Sequence, residues 1–230
     1  MKKKSLPAWI KNPGLMELLQ SPLAVTLSAW FFQGMLYMNR YELILKLLLD
    51  IFLTVCIGFI IPFAGFMSWF LAWLIAHTVN AIFNFQPIAV MRHMGVGETD
   101  PKHFIDYVSR MHDRINEKAF LQGAASYGSL SRGMFKKTTD LDIRFLMVPG
   151  IVNGVRASNF AFVERVRALL HRFPLDLYAF TLPELLSKMR RDEIPVVFYD
   201  PDGLIQRSYK EVLPFEVFRK SFVEKYDPQK

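Results

Sequence analysis

The sequence predicts an α+β protein in which an N-terminal membrane helical hairpin precedes a mixed β-sheet flanked by helices. Three observations predict it. Residues 51–85 form a run of 35 without a single Asp, Glu, Lys or Arg. Residues 98–230 have the composition of an ordinary water-soluble domain. Within that second part, apolar residues at three- and four-residue spacing alternate with short apolar runs, a helix–strand alternation that packs helices against a sheet.

The 230 residues suffice for one domain and an appendage. The division falls at residues 1–97, a membrane-anchoring region, and 98–230, the globular domain. The net charge of +7 suits nucleic acid, an anionic membrane surface or a phosphate-bearing substrate. The basic residues are dispersed and not interleaved with aromatics, so nucleic acid is not an expected partner and the lipid bilayer is. Cys56 is the single cysteine, so an intrachain disulfide and a cysteine metal cluster are excluded. A cytosolic domain is compatible with that usage.

In chain order, residues 15–38 are apolar but interrupted by Gln20, Pro22, Thr26, Ser28 and Gln33, which reads as an interfacial helix on the cytoplasmic leaflet. A third span is the competing reading, and it conflicts with the basic flanks. Residues 43–61 and 66–85 read as transmembrane helices joined by a turn at 62–65, where proline and glycine coincide. Each is about 28–30 Å long, close to the hydrocarbon thickness. The run starts too late for a cleaved signal peptide. Lys2, Lys3, Lys4, Lys11 and Arg40 precede the hairpin, and Arg92, Lys102 and Arg110 follow it. Both flanks are therefore expected in the cytoplasm, as in a multi-pass inner-membrane protein. Lys46 and Asp50 share a helix face and fall at the depth of Asn80 and His77, with Asn84 one turn on. Such groups either join the two helices or line a pocket for a lipid headgroup.

Gly95 and Gly97 mark a hinge. Asp100 then caps a helix over 101–117, whose apolar stripe is Phe104, Val108, Met111 and Ile115. A strand near 120–127, a turn at Gly128-Ser129, a short helix near 131–135 and a strand at 141–147 follow. Next come a helix over 158–172, a strand at 175–180, a helix at 183–191, a strand at 195–199 and a helical C-terminal end from about 215.

The segment richest in chemistry is Gly128, Ser129, Ser131, Arg132 and Gly133, followed by Asp140 and Asp142. A Gly-Ser turn that closes a strand and opens a helix offers backbone N–H groups and a hydroxyl to an anion. Arg132 adds a planar donor suited to phosphate oxygens. Asp140 and Asp142, two apart on a strand, share one face. Their mutual repulsion calls for a cation, and oxygen ligands suit Mg²⁺ or Mn²⁺.

This pattern resembles the nucleotidyltransferase superfamily, which includes DNA polymerase beta, aminoglycoside nucleotidyltransferases and the minimal nucleotidyltransferases. Their hallmark is a Gly-Ser turn, about ten residues, and Asp-x-Asp on the next strand; ten residues separate Ser129 from Asp140 here. The Gly-Ser-x-x-Arg-Gly wording is similar to that of the minimal members. The resemblance covers about residues 102–205 and implies a nucleotidyltransferase-type mixed sheet. It implies catalytic, metal-holding carboxylates at Asp140, Asp142 and Asp176, with Asp176 taking the proton of the attacking hydroxyl. It also implies a nucleotide held by Gly128, Ser129, Ser131 and Arg132. A nucleoside triphosphate would donate its nucleoside monophosphate and release pyrophosphate between two Mg²⁺ or Mn²⁺ ions roughly 3.5–4 Å apart. No residue separates ATP from the other triphosphates.

Asp200 and Asp202 read as turn residues, Lys136 and Lys137 as solvated, and His103 and His112 as surface residues. Little chain follows the resemblance, so a membrane acceptor of lipid or polyprenyl type is expected, which tethering would present at high effective concentration. A partner membrane protein as acceptor and a catalytically inactive, anchored nucleotide-binding module are the alternatives.

Overall fold

The computed structural model describes residue 19 and residues 21–61, 65–84 and 86–226. The turn expected at 62–65 lies outside the described residues except for Gly65. So do Lys2, Lys3, Lys4 and Lys11, Phe85, and most of residues 15–20 of the expected interfacial helix.

Among the described residues, four helices precede the globular part. Helix α1 (Pro22–Phe32) is opened by Ser21, whose hydroxyl accepts the Ala24 N–H, and closed by Gln33 in the left-handed region. Helix α2 (Arg40–Ile60) starts three residues before the expected span. The Asn39 side-chain oxygen accepts the N–H groups of Tyr41 and Glu42 and so extends the helix backward. Helix α3 is Phe66–Asn84 and helix α4 is Pro87–His93. Helices α2 and α3 are both long and apolar enough to cross a membrane. They lie antiparallel and close together: a Cβ added at Gly58 would fall 2.4 Å from the Trp69 ring. Most of their outward residues, among them Ile51, Phe52, Phe59, Phe66 and Met67, are exposed.

The expected elements of the globular part form, with three differences. Helix α5 (Pro101–Asn116) is capped by Asp100. Strand β1 is Leu121–Tyr127 and strand β2 is Leu141–Met147. The short helix expected at 131–135 is absent; a single 3-10 turn, Leu130–Arg132, stands there. Gly133 ends it at φ 62°, and the Ser131 hydroxyl donates back to the Gly128 carbonyl. Helix α6 (Ile151–Leu170) begins well before residue 158. Its start packs on α2, where a Cβ at Gly154 would meet the Tyr41 ring at 2.4 Å. Strand β3 (Leu175–Phe180), helix α7 (Leu182–Lys188), strand β4 (Val196–Tyr199), helix α8 (Leu204–Ser208), strand β5 (Leu213–Pro214) and helix α9 (Phe215–Tyr226) complete the chain. The short α8 and β5 are the third difference.

The five strands form one mixed sheet in the order β3-β2-β1-β4-β5. Strand β1 is antiparallel to β2 and β4, β2 is parallel to β3, and β4 to β5. An aromatic-rich core joins the sheet to α5, α6 and α9: Phe145 stacks on Phe160 and Phe104 on Phe222.

Strand β3 is an edge of the sheet, with no strand beyond it among the described residues. Its free backbone groups are met by side chains of the hairpin region and of α6. The Leu177 N–H donates to Gln86 at 2.9 Å, and the Leu177 carbonyl accepts from Arg165 at 2.8 and 3.0 Å. The Ala179 N–H donates to Glu42 at 3.2 Å, and the Ala179 carbonyl accepts from Asn39 at 2.8 Å. Arg165 also pairs with Glu42, and both are buried. Unmet edge groups of this kind would be costly if buried. The glycines expected as a hinge, Gly95 and Gly97, sit in a tied turn: Arg92 donates to the carbonyls of Val96 and Glu98 and to the Thr99 hydroxyl.

Replacing Arg165 by Met leaves the Glu42 carboxylate buried without its cation. The expected loss is about 3–5 kcal/mol of stability, read by chemical denaturation in detergent. A loss below about 1 kcal/mol, the size of an exposed pair, would mean that the edge is sealed without Arg165.

Candidate active site

Strand register brings the candidate carboxylates together. In the parallel β2–β3 pair Asp142 stands opposite Asp176, and in the antiparallel β1–β2 pair it stands opposite Tyr127. The residue after Tyr127 is Gly128, so the turn arrives beside Asp142. Gly128 has φ +74°, and a Cβ there would lie 2.3 Å from Asp142 Oδ2. Only glycine meets both demands, a left-handed backbone and contact with a carboxylate. Asp140 immediately precedes β2 rather than lying within it; Leu141 between the two acids is fully buried, in keeping with strand alternation.

Arg144, two residues beyond Asp142, is buried. Its Nη2 donates to Asp176 Oδ2 at 2.8 Å and lies 3.8 Å from Asp142 Oδ1; its Nη1 donates to the Asp176 carbonyl at 2.7 Å. The Nε, also buried, has no partner. The other Asp176 oxygen, Oδ1, accepts from Gln86 Nε2 at 3.3 Å. Gln86 thus holds both Asp176 and the next backbone N–H, from a position with φ 55° between α3 and α4.

The two carboxylates differ in charge behaviour. Burial, then the negative charges of Asp176 and Asp140, push Asp142 well above the usual carboxylate range. Burial works the same way on Asp176, but the Arg144 guanidinium outweighs it and holds Asp176 below that range. Of the two, Asp142 therefore binds a proton more readily and Asp176 is the more acidic.

The phosphate-facing residues are arranged less simply. Ser129 makes no side-chain cap, Ser131 spends its hydroxyl within the turn, and Arg132 pairs with Glu193 at 3.2 Å. Glu193 also receives the Gly128 N–H at 3.4 Å. A carboxylate of the chain itself therefore sits on the N–H and guanidinium expected to meet an anion. A groove of about 740 Å³ runs along the same turn, walled by Arg132, Gly133, Tyr209, Lys210 and Leu213; neither Asp142 nor Asp176 lines it.

Among the described residues, no group of three His, Cys, Asp or Glu side chains is placed to hold a metal ion. Asp142 and Asp176 supply two adjacent oxygen-donor groups. That set fits Mg²⁺, which binds through one or two carboxylates when substrate phosphates and water provide the rest.

The residues read as bystanders hold structural positions. Asp200 caps α8 by accepting from Ile205 and Gln206, and Lys137 pairs with Glu98 on the surface. The histidines are a correction: His112 is half-buried and stacks on Phe215, and His103 packs against Phe173. Sequence reading missed Arg144, Gln86 and Glu193. Arg144 had a signal, the Asp-x-Asp-x-Arg alternation; the other two reach the site only through the fold. No protein-family model matches the chain, and no curated protein or solved structure matches it.

Two outcomes follow from this geometry. Protons bind native Asp142 more tightly than the unfolded chain, so its stabilising contribution holds at acid pH and is lost as pH rises through its raised value. Asp142→Asn is therefore expected to raise Tm by about 2–4 °C at neutral pH, and the gain should vanish towards about pH 4. A melting series over pH checks this; a gain independent of pH would contradict the raised proton affinity of Asp142. Gly128→Ala is expected to lose about 1–3 kcal/mol from backbone strain and to displace Asp142, removing any Mg²⁺-induced rise in Tm seen for the parent.

Proposed function

We propose that this chain is a membrane-anchored nucleotidyltransferase that transfers a nucleoside monophosphate from a nucleoside triphosphate to a membrane-associated acceptor of lipid or polyprenyl type. The observation that carries the reading is the in-register pair Asp142–Asp176 with the Gly128 turn packed against Asp142. The Gly128 turn beside Asp142, and Asp176 in register with it, support this reading. Helices α2 and α3 would cross the inner membrane with both ends in the cytoplasm, and the sheet domain would sit on that side.

In this reading the acceptor oxygen bonds to the α-phosphorus, the P–O bond to the β-phosphate breaks, and pyrophosphate leaves. Asp142 and Asp176, with Asp140 beside them, would hold Mg²⁺, which supplies Lewis-acid charge to the phosphoryl oxygens. Arg144 and Gln86 keep Asp176 ionised and fixed in direction. Asp176, which the Arg144 guanidinium holds ionised, would accept the proton of the attacking hydroxyl. Arg132 and the Gly128 N–H would bind the outer phosphates once Glu193 is displaced.

One observation favours a second reading. Arg144 already provides Asp176 with a cation, as in a nucleotide-binding module that has lost its chemistry. The test incubates the detergent-solubilised chain with Mg²⁺, native membrane lipid and each of four α-labelled nucleoside triphosphates. An organic-soluble labelled product is expected, reduced at least about 100-fold in Asp140→Asn/Asp142→Asn. Label on protein would identify a protein acceptor. Bound nucleotide without any labelled product would favour the inactive module. Glu193→Gln is expected to lower KM for the triphosphate about 3–10-fold with little change in kcat, since it removes a competitor for Arg132; an unchanged KM would remove Glu193 from the site.

A further inference from the structure

Helices α2, α3 and α6 enclose a cavity of about 190 Å³ where the hairpin meets the sheet domain. Its polar wall is Glu42, Lys46, Asn84, Ser158 and Arg165, with Asn159 at its exposed side; its apolar wall is Leu45, Leu49 and Phe162. The volume is that of about six waters at roughly 30 Å³ each.

The polar wall is nearly, but not fully, occupied with itself. Arg165 bonds Glu42, Asn84 and the Leu177 carbonyl. Glu42 also takes the Ala179 N–H and the Asn39 amide. Lys46 gives one N–H to Asp50 at 2.9 Å, and an ammonium has three. Ser158 is 2% exposed, and its hydroxyl has no hydrogen-bond partner. Buried hydroxyls are rarely left this way, so Ser158 has a hydrogen bond still to make.

The charges identify the ligand. Lys46 cancels Asp50 and Arg165 cancels Glu42. No net positive charge remains to hold a phosphate in a low-dielectric setting. An uncharged hydroxyl can accept from Lys46 and exchange a hydrogen bond with Ser158 without upsetting that balance. The apolar wall runs outward: Leu45 and Leu49 share a helix face with Phe52, which is 63% exposed on the membrane-facing part of α2. A hydrocarbon chain attached to the hydroxyl would lie along that stripe.

We infer that this cavity binds the hydroxyl headgroup of an uncharged membrane lipid, of the diacylglycerol or long-chain alcohol class. The site stands whether or not the protein transfers nucleotides, because the test below reads binding alone.

Native mass spectrometry of the full chain in detergent, titrated with dioctanoylglycerol, with phosphatidic acid of the same chains and with glycerol, decides the matter. One retained dioctanoylglycerol is expected, at least about 10-fold tighter than either competitor, the scale of one buried polar mismatch. Ser158→Ala removes only an unpartnered hydroxyl, so it should leave Tm unchanged while weakening binding about 5–10-fold. Leu49→Trp, which fills the cavity, should abolish retention. Phosphatidic acid or glycerol binding as tightly as dioctanoylglycerol would overturn the inference. So would unchanged binding in Ser158→Ala.

Discussion

The unpaired edge of β3 is the constraint on which the rest of this structure depends. A parallel edge strand offers alternating N–H and carbonyl groups, and a protein must cover them or leave them to water. Here Asn39, Glu42 and Gln86, all from the hairpin region, and Arg165 from α6 take the place of a sixth strand. The same four side chains join the apolar hairpin to the sheet. The residue at the start of β3 that faces Asp142 is Asp176, so the bonds that seal the edge also position the candidate site. Gln86 does both at once, with one end of its amide on the Leu177 N–H and the other on the Asp176 carboxylate.

Electrostatics at the site follows from that placement. Two acids forced into register on neighbouring strands cannot both ionise freely in a half-buried setting. Arg144, on the same face as Asp142, resolves the conflict in favour of Asp176. Asp142, which lies against Gly128, is left with the higher proton affinity. The Gly128–Arg132 turn is likewise organised around negative charge, at present that of Glu193.

Polar groups inside the hairpin are arranged with the same economy. Lys46 and His77 both reach Asp50, Asn80 bonds the Lys46 carbonyl, and Asn84 bonds Asn80 and Arg165. The helix-joining role expected from sequence is met by part of this stripe. Asp50 and His77 join the helices, and Trp30 and Gln33 bring α1 against them through His77. Lys46, Asn84 and Arg165 border the cavity. Beyond Asp50, α2 continues for about 15 Å with only apolar residues and Thr54, whose hydroxyl bonds the Asp50 carbonyl.

By itself the sequence determined what depends on neighbours a few residues away. Apolar periodicity placed α2, α3, α5 and β1 to β4, and the Asp100 side chain set the start of one of those helices. The spacing of Gly128 and Ser129 from Asp140 and Asp142 was legible for the same reason: turn and strand are close in the chain. Local signals failed where tertiary contact overrode them. The early start of α6 is stabilised by Tyr41 against Gly154, more than a hundred positions away in the sequence, and the expected helix after Ser129 gave way to a turn closed by Gly133 and held by Ser131. Only the tertiary structure decided that Asp142 and Asp176 stand in register, that Arg144 favours one of them, and that Gln86, Glu193 and Ser158 matter at all. Each of those depends on which distant groups share a low-dielectric space, and pairing energies in such a space are set by three-dimensional distance rather than by order along the chain.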